Sequence, residues 1–361
     1  MRGGWRTDFA RGSFRGTDYD ELAASLAMRP ECARLLDRAA ASGRLHGDAA
    51  DDFPLETALH SVRLLLGERP CGTLVVAREQ ITRLVPVPAT LDYAIAVTRS
   101  DDGLSVTYTV ALPGTTFGNT PVQFLTDLNP LCSAFDLTVD GRAYTHNFWA
   151  GFYASVAAGA EPPVVQILKK LAAAVGAVKE GGEVEHRLVL TGYSLGATQV
   201  MLLMMLYCDD AMQRVAGELG VGRATFASVT VLPFAMPNAV RSGETCAYVR
   251  NAAKRLNIGL YAVCDPLDLV EHFYGALPLM RAIVPHVYVL EESGVYRVDA
   301  ASVTHGAMYG VAWRLSWAPW DWLATLGTVA RMVSVVTSTH MLVEYMRKLH
   351  AVKGASCALA A

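Results

Sequence analysis

Residues 187–207 read RLVLTGYSLGATQVMLLMMLY, and this stretch decides the fold. An apolar run at residues 188–190 has the composition of a strand and leads into residues 192–196, a G-x-S-x-G pentad. Residues 197–207 are apolar on nearly every side, which predicts a helix packed against a central sheet. In a strand, turn and helix of this kind the glycines permit the sharp turn, and the serine is held exposed in a strained conformation. This context, more than the pentad itself, makes Ser194 the candidate nucleophile.

The whole chain has the composition of a globular protein, with 361 residues, of which 52% are hydrophobic and 18% are charged. This much apolar material supplies a sizeable core in one or two domains. The net charge is −3 and no block of like charge occurs, so we expect no nucleic-acid partner. Seven scattered cysteines without a C-x-x-C pair predict buried thiols, with no disulfide framework and no zinc site.

Three features of the sequence bear on membrane association. Residues 1–21 contain neither the apolar core nor the cleavage site of a secretory signal, so we expect a cytoplasmic protein. Residues 317–346 contain charged side chains that a bilayer core would penalise, so we expect no transmembrane segment. A tryptophan cluster leaves open a transient contact with a membrane or lipid-droplet surface, although such clusters more often serve packing. It consists of Trp313, Trp317, Trp320 and Trp322.

The pattern of apolar residues divides the chain at about residue 88. Residues 1–88 predict an N-terminal helical extension, with helices over residues 19–41 and, after Pro54, over residues 55–66. Residues 89–361 predict a main domain in which strands and helices alternate, as in an α/β protein with a mostly parallel sheet. The strands expected there are residues 91–98 and 105–112, which form a hairpin, and residues 188–190, 224–231, 258–264, 286–290 and 295–299.

The elbow sequence LTGYSLGA, at residues 190–197, resembles the TGHSLGGA elbow of the class-three (fungal-type) lipases, which are α/β-hydrolases. The resemblance covers roughly residues 90–350. Two positions depart from the family: Tyr193 stands where His is usual, and Ala197 stands where a third glycine is common. Neither departure removes a reacting group. The resemblance implies an α/β-hydrolase fold and a serine ester hydrolase that acts on lipid esters such as acylglycerols.

A second landmark follows the predicted hairpin. Residues 112–115, LPGT, and residues 124–128, FLTDL, resemble the F-R-G-T and W-x-x-D-L block of the family. The resemblance implies that Thr115 is an oxyanion residue whose backbone N–H acts with that of Leu195, although an ordinary Pro-Gly turn is the alternative. Residues 14–17 also spell FRGT, but no strand-like sequence precedes them, so we interpret that match as accidental.

Two further segments have positions that the family assigns. Residues 116–130 fall where the family has a mobile lid, and their apolar side chains would suit either a lid or a fixed surface helix. Residues 144–153 resemble the V-H-x-G-F segment that leads to the helix before the elbow. His146 in that segment precedes the nucleophile, whereas the base of an α/β-hydrolase follows it, so we predict a structural role for His146.

The candidate acid is Asp265, which ends the predicted strand at residues 258–264. An α/β-hydrolase holds its triad acid at the carboxyl end of a strand that follows the nucleophile, and CDPLDLVE resembles the N-D-P-V-P of the family. Asp268 and Glu271 are reserves. A helix-capping or solvated aspartate is the alternative interpretation of Asp265.

The base must follow the acid in the chain, and two histidines are serious candidates. His340 precedes an amphipathic segment, residues 341–349, and resembles the H-x-x-x-x-Y ending of several family branches, with Tyr345 five residues on. His305 follows the predicted strand at residues 295–299 and is the alternative. We favour His340.

Together these residues predict a triad in the order Ser194, Asp265, His340, which is the order of α/β-hydrolases. His340 would accept the serine proton, Asp265 would orient the imidazole, and the N–H groups of Thr115 and Leu195 would bind the oxyanion. The reaction needs no cofactor and no metal. Two alternatives remain open: an acyltransferase that uses the same triad, and an inactive lipid-binding or scaffold protein.

Overall fold

The computed structural model describes residues 48–68, 73–84, 87–114, 132–157, 161–179, 184–237, 240, 244–265, 283–291, 294–300 and 342–360. The strands, in chain order, are β1 Asp48–Ala49, β2 Thr73–Leu84, β3 Val87–Arg99, β4 Ser105–Leu112, β5 Cys132–Val139, β6 Arg142–Trp149, β7 Glu185–Tyr193, β8 Ser228–Phe234, β9 Ile258–Leu260, β10 Val263–Cys264, β11 His286–Glu291 and β12 Gly294–Asp299. The helices are α1 Leu55–Leu65, α2 Ala150–Ala157, α3 Pro163–Lys179, α4 Leu195–Cys208, α5 Asp210–Glu218, α6 Glu244–Arg255 and α7 Leu342–Ala360.

A ten-stranded sheet forms the centre of the described structure. Its order is β1-β12-β11-β10-β8-β7-β4-β3-β2, and β9 pairs separately with β8. The five middle strands, β11, β10, β8, β7 and β4, are parallel to one another, and the outer pairs at both edges are antiparallel. Strands β5 and β6 form a separate hairpin. The mostly parallel sheet confirms the α/β class.

Alternate residues of the middle strands enter two different cores. On β7, Leu188 and Leu190 belong to the core that contains α3 and α4, whereas Val189 belongs to the core that contains α1 and α7. Successive side chains of a strand point to opposite faces, so helices cover the sheet on both sides. The result is a three-layer arrangement of helices, sheet and helices.

Helix α4 is buried at all of its fourteen positions, as its sequence predicts. It lies between β7 and the other helices of its layer, so no face of it is left for solvent. Its buried polar side chains have partners: Thr198 Oγ1 donates to the carbonyl of Pro237 at 2.8 Å, and Gln199 Nε2 donates to Ser155 Oγ at 2.8 Å. These bonds remove the cost of burying the two side chains.

The predicted hairpin is confirmed, because β3 and β4 pair antiparallel around a turn with Gly103 at φ 72°. The strand predicted at residues 224–231 begins later, at Ser228, because Arg223–Thr225 forms a short 3-10 helix. The Arg223 side chain donates to the carbonyls of Phe226, Leu256 and Asn257, and this stabilises the turn. Residues 258–264 form two short strands where the sequence predicted one.

Two described strands within residues 1–88, the predicted N-terminal extension, join the sheet. Strand β2 pairs with β3 from Thr73 to Leu84, and β1 pairs with β12. Helix α1 begins after Pro54 as predicted, and its buried side chains share a core with α7. The helix predicted at residues 19–41 lies outside the described residues. Among the helices that the structure describes, none is long and apolar enough to cross a membrane.

Candidate active site

Ser194 occupies the sharp turn between β7 and α4. Its backbone has φ 53° and ψ −121°, a conformation that non-glycine residues rarely adopt. The Ser194 N–H donates to the carbonyl of Phe234 on β8 at 3.0 Å, and its own carbonyl accepts the N–H of Ala197 at 2.9 Å. The turn is therefore held from both sides. Such strain at one residue is typical of a functional position and is the geometry of a nucleophile elbow.

The two glycines of the pentad allow close approaches that any side chain would block. A Cβ added to Gly192 would overlap the backbone of Gly196, and one added to Gly196 would overlap the carbonyl oxygens of Leu112 and Pro113. The first contact closes the turn. The second brings the start of α4 against the segment that follows β4.

That segment is the predicted oxyanion loop. A Cβ added to Gly114 would lie 2.7 Å from Cδ1 and 3.0 Å from the carbonyl oxygen of Tyr193, so the loop packs directly on the elbow up to Gly114. Thr115 lies outside the described residues. Leu195, the second predicted donor, is the first residue of α4, and the N–H of a first helical residue has no partner inside the helix. The described part of the loop thus ends one residue before the predicted donor, beside Ser194.

Asp265 follows β10 directly and is almost completely buried, with 1% of its side chain exposed. Its backbone N–H donates to the hydroxyl of Tyr345 at 3.0 Å. Its Oδ2 accepts a hydrogen bond from Lys348 Nζ at 2.6 Å. Both partners lie on α7, one turn apart. This helix belongs to the C-terminal part of the sequence.

The sheet brings the candidate nucleophile and the candidate acid to the same edge. Phe234 of β8 is paired with Tyr193 of β7 and with Val263 of β10, so β8 separates the two strands that carry the candidates. Neighbouring strands are about 4.8 Å apart, which separates β7 from β10 by about 10 Å. Ser194 and Asp265 follow the carboxyl ends of these strands, which is where α/β sheets place their functional groups.

Sequence reasoning missed Lys348. The signal was present, because Tyr345, Leu349 and Val352 form the buried face of α7 and Lys348 interrupts that face. A lysine on an otherwise apolar face predicts a buried anionic partner. The remaining predicted features lie outside the described residues: the candidate bases His340 and His305, the reserve acids Asp268 and Glu271, the lid segment at residues 116–130 and the tryptophan cluster.

His146 lies on β6, away from the elbow, and is fully buried. Its Nδ1 is 2.9 Å from Thr245 Oγ1, and its ring packs against Phe135 and Tyr248. Burial lowers the pKa of His146 to about 4, so the ring is neutral at pH 7. These contacts favour the structural role that the sequence predicts. Within the described ranges, no three His, Cys, Asp or Glu side chains come together as a metal site.

Comparisons with known proteins find a structural likeness to fungal lipases. No family model and no curated protein matches the chain. The lipase of Rhizopus microsporus var. chinensis has a TM-score of 0.42 and 16% identity, covering 70% of this chain and 80% of that one. A triacylglycerol lipase of Penicillium expansum has a TM-score of 0.41 and 15% identity, covering 75% and 89%. The Rhizomucor miehei lipase, in its propeptide complex, has a TM-score of 0.41 and 13% identity, covering 72% and 76%.

Proposed function

We propose that the chain is a serine ester hydrolase that acts on lipid esters, with Ser194 as nucleophile, Asp265 as acid and His340 as base. The observation that carries the proposal is the backbone of Ser194 at φ 53°, held between two glycines that admit no side chain. A strained serine at the carboxyl edge of a parallel sheet is the arrangement in which a hydroxyl becomes a nucleophile.

The reaction follows the order of a serine hydrolase. His340 takes the proton of Ser194 while Oγ attacks the ester carbonyl, and the N–H groups of Leu195 and Thr115 bind the oxyanion that forms. Collapse of this intermediate breaks the bond to the alcohol, which leaves with the proton from His340. Water then attacks the acyl-enzyme in the same way and releases a carboxylic acid. Asp265 orients the imidazole and stabilises its positive charge throughout.

The course of β12 argues against His305 as the base. This strand runs antiparallel to β11, with Asp299 opposite His286, so the chain leaves β12 at the amino edge of the parallel strands. The nucleophile and the acid follow the opposite edge. His305 comes five residues after Ala300, and five residues span at most about 18 Å, while the six residues of β11 extend about 20 Å. Even a fully extended backbone of that length would fall short of the opposite edge.

The position of α7 supports His340. Tyr345, one turn into this helix, already contacts the backbone of Asp265. His340 precedes Tyr345 by five residues, so the chain that carries it is attached next to the acid. The distance that His340 has to cover to reach Asp265 is therefore short compared with that of His305.

A labelling experiment tests the nucleophile. We expect a fluorophosphonate probe to modify Ser194, and Ser194→Ala to lose both labelling and ester hydrolysis, with a loss of turnover of about a millionfold. Intact-mass and peptide mass spectrometry identify the modified residue. Buried Ser155 supplies a matched control, because Ser155→Ala should keep the label. Labelling that survives in Ser194→Ala would contradict the proposal.

The lipid part of the proposal rests on the apolar lid segment and the tryptophan cluster of the sequence. We expect faster turnover of emulsified long-chain glycerides than of soluble acetyl esters, because the sequences of both segments are rich in apolar residues that suit an acyl chain. Initial rates on the two substrate types at equal enzyme concentration measure the preference. A higher rate on soluble acetyl esters would leave a carboxylesterase and exclude a lipase.

A further inference from the structure

Lys348 is a lysine inside the protein, with 9% of its side chain exposed. Its neighbours on the inner face of α7 are Tyr345, Leu349 and Val352, all buried. Burial of an ammonium group is costly unless a charged partner compensates it. The partner here is the carboxylate of Asp265, at 2.6 Å from Nζ to Oδ2.

The helix that carries Lys348 holds the acid at two points. The hydroxyl of Tyr345 accepts the backbone N–H of Asp265, and Lys348 donates to the side chain. Because the backbone and Oδ2 of Asp265 are both fixed, its other carboxylate oxygen keeps one orientation.

We propose that Lys348 is a positioning residue for the catalytic acid, which fixes Oδ2 of Asp265 so that Oδ1 serves the base and offsets part of the charge that the base experiences. The inference rests on the proposed function, because it assigns Asp265 to the triad. Serine hydrolase chemistry needs the carboxylate only to orient and stabilise the imidazole, and a fixed cation on its far oxygen limits how strongly it does so.

The charge of Lys348 has a consequence for the pH dependence of the reaction. The carboxylate favours the protonated imidazole, and the ammonium group on Oδ2 weakens that effect. The pKa of the base is consequently lower than it would be beside an isolated carboxylate, so the base loses its proton at a lower pH. Removal of the positive charge should raise the pKa of the base and move the acid limb of the activity profile to higher pH.

Other titratable groups lie on or near the elements packed against α7. Their effects on the pH profile have to be distinguished from the effect of Lys348. Tyr288 on β11 has a pKa raised by burial to about 12, so it stays neutral. Burial and Arg63 lower the pKa of His60 on α1, so this ring stays neutral at pH 7. The further groups are Glu56 on α1, His286 and Glu291 on β11, Tyr296 and Arg297 on β12, Cys264 on β10, and Glu344, Tyr345, Arg347, His350 and Lys353 on α7.

The chain offers a matched control on the same helix. Lys353 pairs with Glu56 at 2.7 Å, but 45% and 72% of the two side chains are exposed. Lys353→Met therefore removes the same charge from α7 without touching the acid. Lys348→Met removes the charge at Asp265, Lys348→Gln removes the charge but keeps a hydrogen-bond donor, and Lys348→Arg keeps both.

The experiment measures kcat/KM against pH on a soluble p-nitrophenyl ester for the full chain and these variants, with circular dichroism to check folding. We expect the acid limb to move up by roughly one pH unit in Lys348→Met and Lys348→Gln, as for removal of a nearby charge. Lys348→Arg and Lys353→Met should retain the profile of the parent. If Lys348→Met does not fold, the pH profile of Lys348→Gln is compared with that of the parent instead.

An acid limb that stays unchanged in a folded Lys348→Gln variant would show that Lys348 is only a structural tie and would overturn the inference. Equal shifts in Lys348→Gln and Lys353→Met would overturn it too, because the effect would then be one of net charge. Failure of the proposed function looks different, since the parent chain itself would then resist the fluorophosphonate probe at Ser194.

Discussion

The candidate nucleophile and the candidate acid are built in two different ways. The elbow at Ser194 is encoded by five consecutive residues, in which Gly192 and Gly196 permit contacts that a Cβ would prevent, and its turn is also held by the carbonyl of Phe234. The environment of Asp265 is made by Tyr345 and Lys348, 80 and 83 residues further along the chain. The turn at the candidate nucleophile can therefore be read from a short stretch of sequence, whereas the charge environment and orientation of the candidate acid depend on how distant helices pack.

The largest expected effect concerns the base, which would join the two regions. His340→Ala should reduce turnover nearly as far as Ser194→Ala, by about a millionfold, because the triad acts as one unit. The double variant should lose little more. Single-turnover rates with a fluorogenic ester measure these losses.

His305→Ala is the control for that experiment. It should keep most of the activity, with a loss of stability of about 1 kcal/mol as for typical substitutions. If His305→Ala were inactive and His340→Ala active, the assignment of the base to His340 would be wrong, although the assignment of Ser194 as nucleophile would stand.

The next effect compares the contributions of a buried and an exposed ion pair of α7 to the free energy of unfolding. Lys348→Met should lower the free energy of unfolding by about 3–5 kcal/mol, because it leaves the carboxylate of Asp265 buried without this partner. Lys353→Met should lower it by about 0–1 kcal/mol, since both members of that pair are exposed to solvent. Urea unfolding followed by circular dichroism compares the two, and equal losses would mean that Asp265 is not held by Lys348.

The smallest effect tests how far the geometry of the elbow depends on residues outside the G-x-S-x-G pentad. Gly196→Ala should destabilise the protein by about 1–3 kcal/mol and slow labelling of Ser194, because the added methyl overlaps the backbone at Leu112 and Pro113. Gly176→Ala in α3 is the matched control, since nothing lies within 4 Å of its added Cβ. That variant should be stabilised by about 0.5–1 kcal/mol. If Gly196→Ala were labelled as fast as the parent, the reactivity of Ser194 would not depend on the contact between Gly196 and the loop after β4.

Prediction from the sequence succeeded where the signal is periodic or steric. The alternation of apolar residues predicted the β3–β4 hairpin and strand β11, and the apolar character of residues 197–207 predicted a helix buried on all sides. Prediction failed where contacts with residues distant in the sequence determine where a strand begins. Residues 224–231 look like one strand, but the hydrogen bonds of Arg223 to distant carbonyls turn the chain before the strand begins at Ser228.

The α/β class, the elbow and the position of Asp265 at the end of a strand were predictable from the amino-acid sequence. These follow from neighbouring residues, because glycine and strand geometry act over a few bonds. Tertiary structure alone decided that β2 joins the main sheet and that Lys348 binds Asp265. A buried charge is stabilised by whichever partner packing brings within hydrogen-bond distance, and the eighty residues between these two leave that choice to the fold.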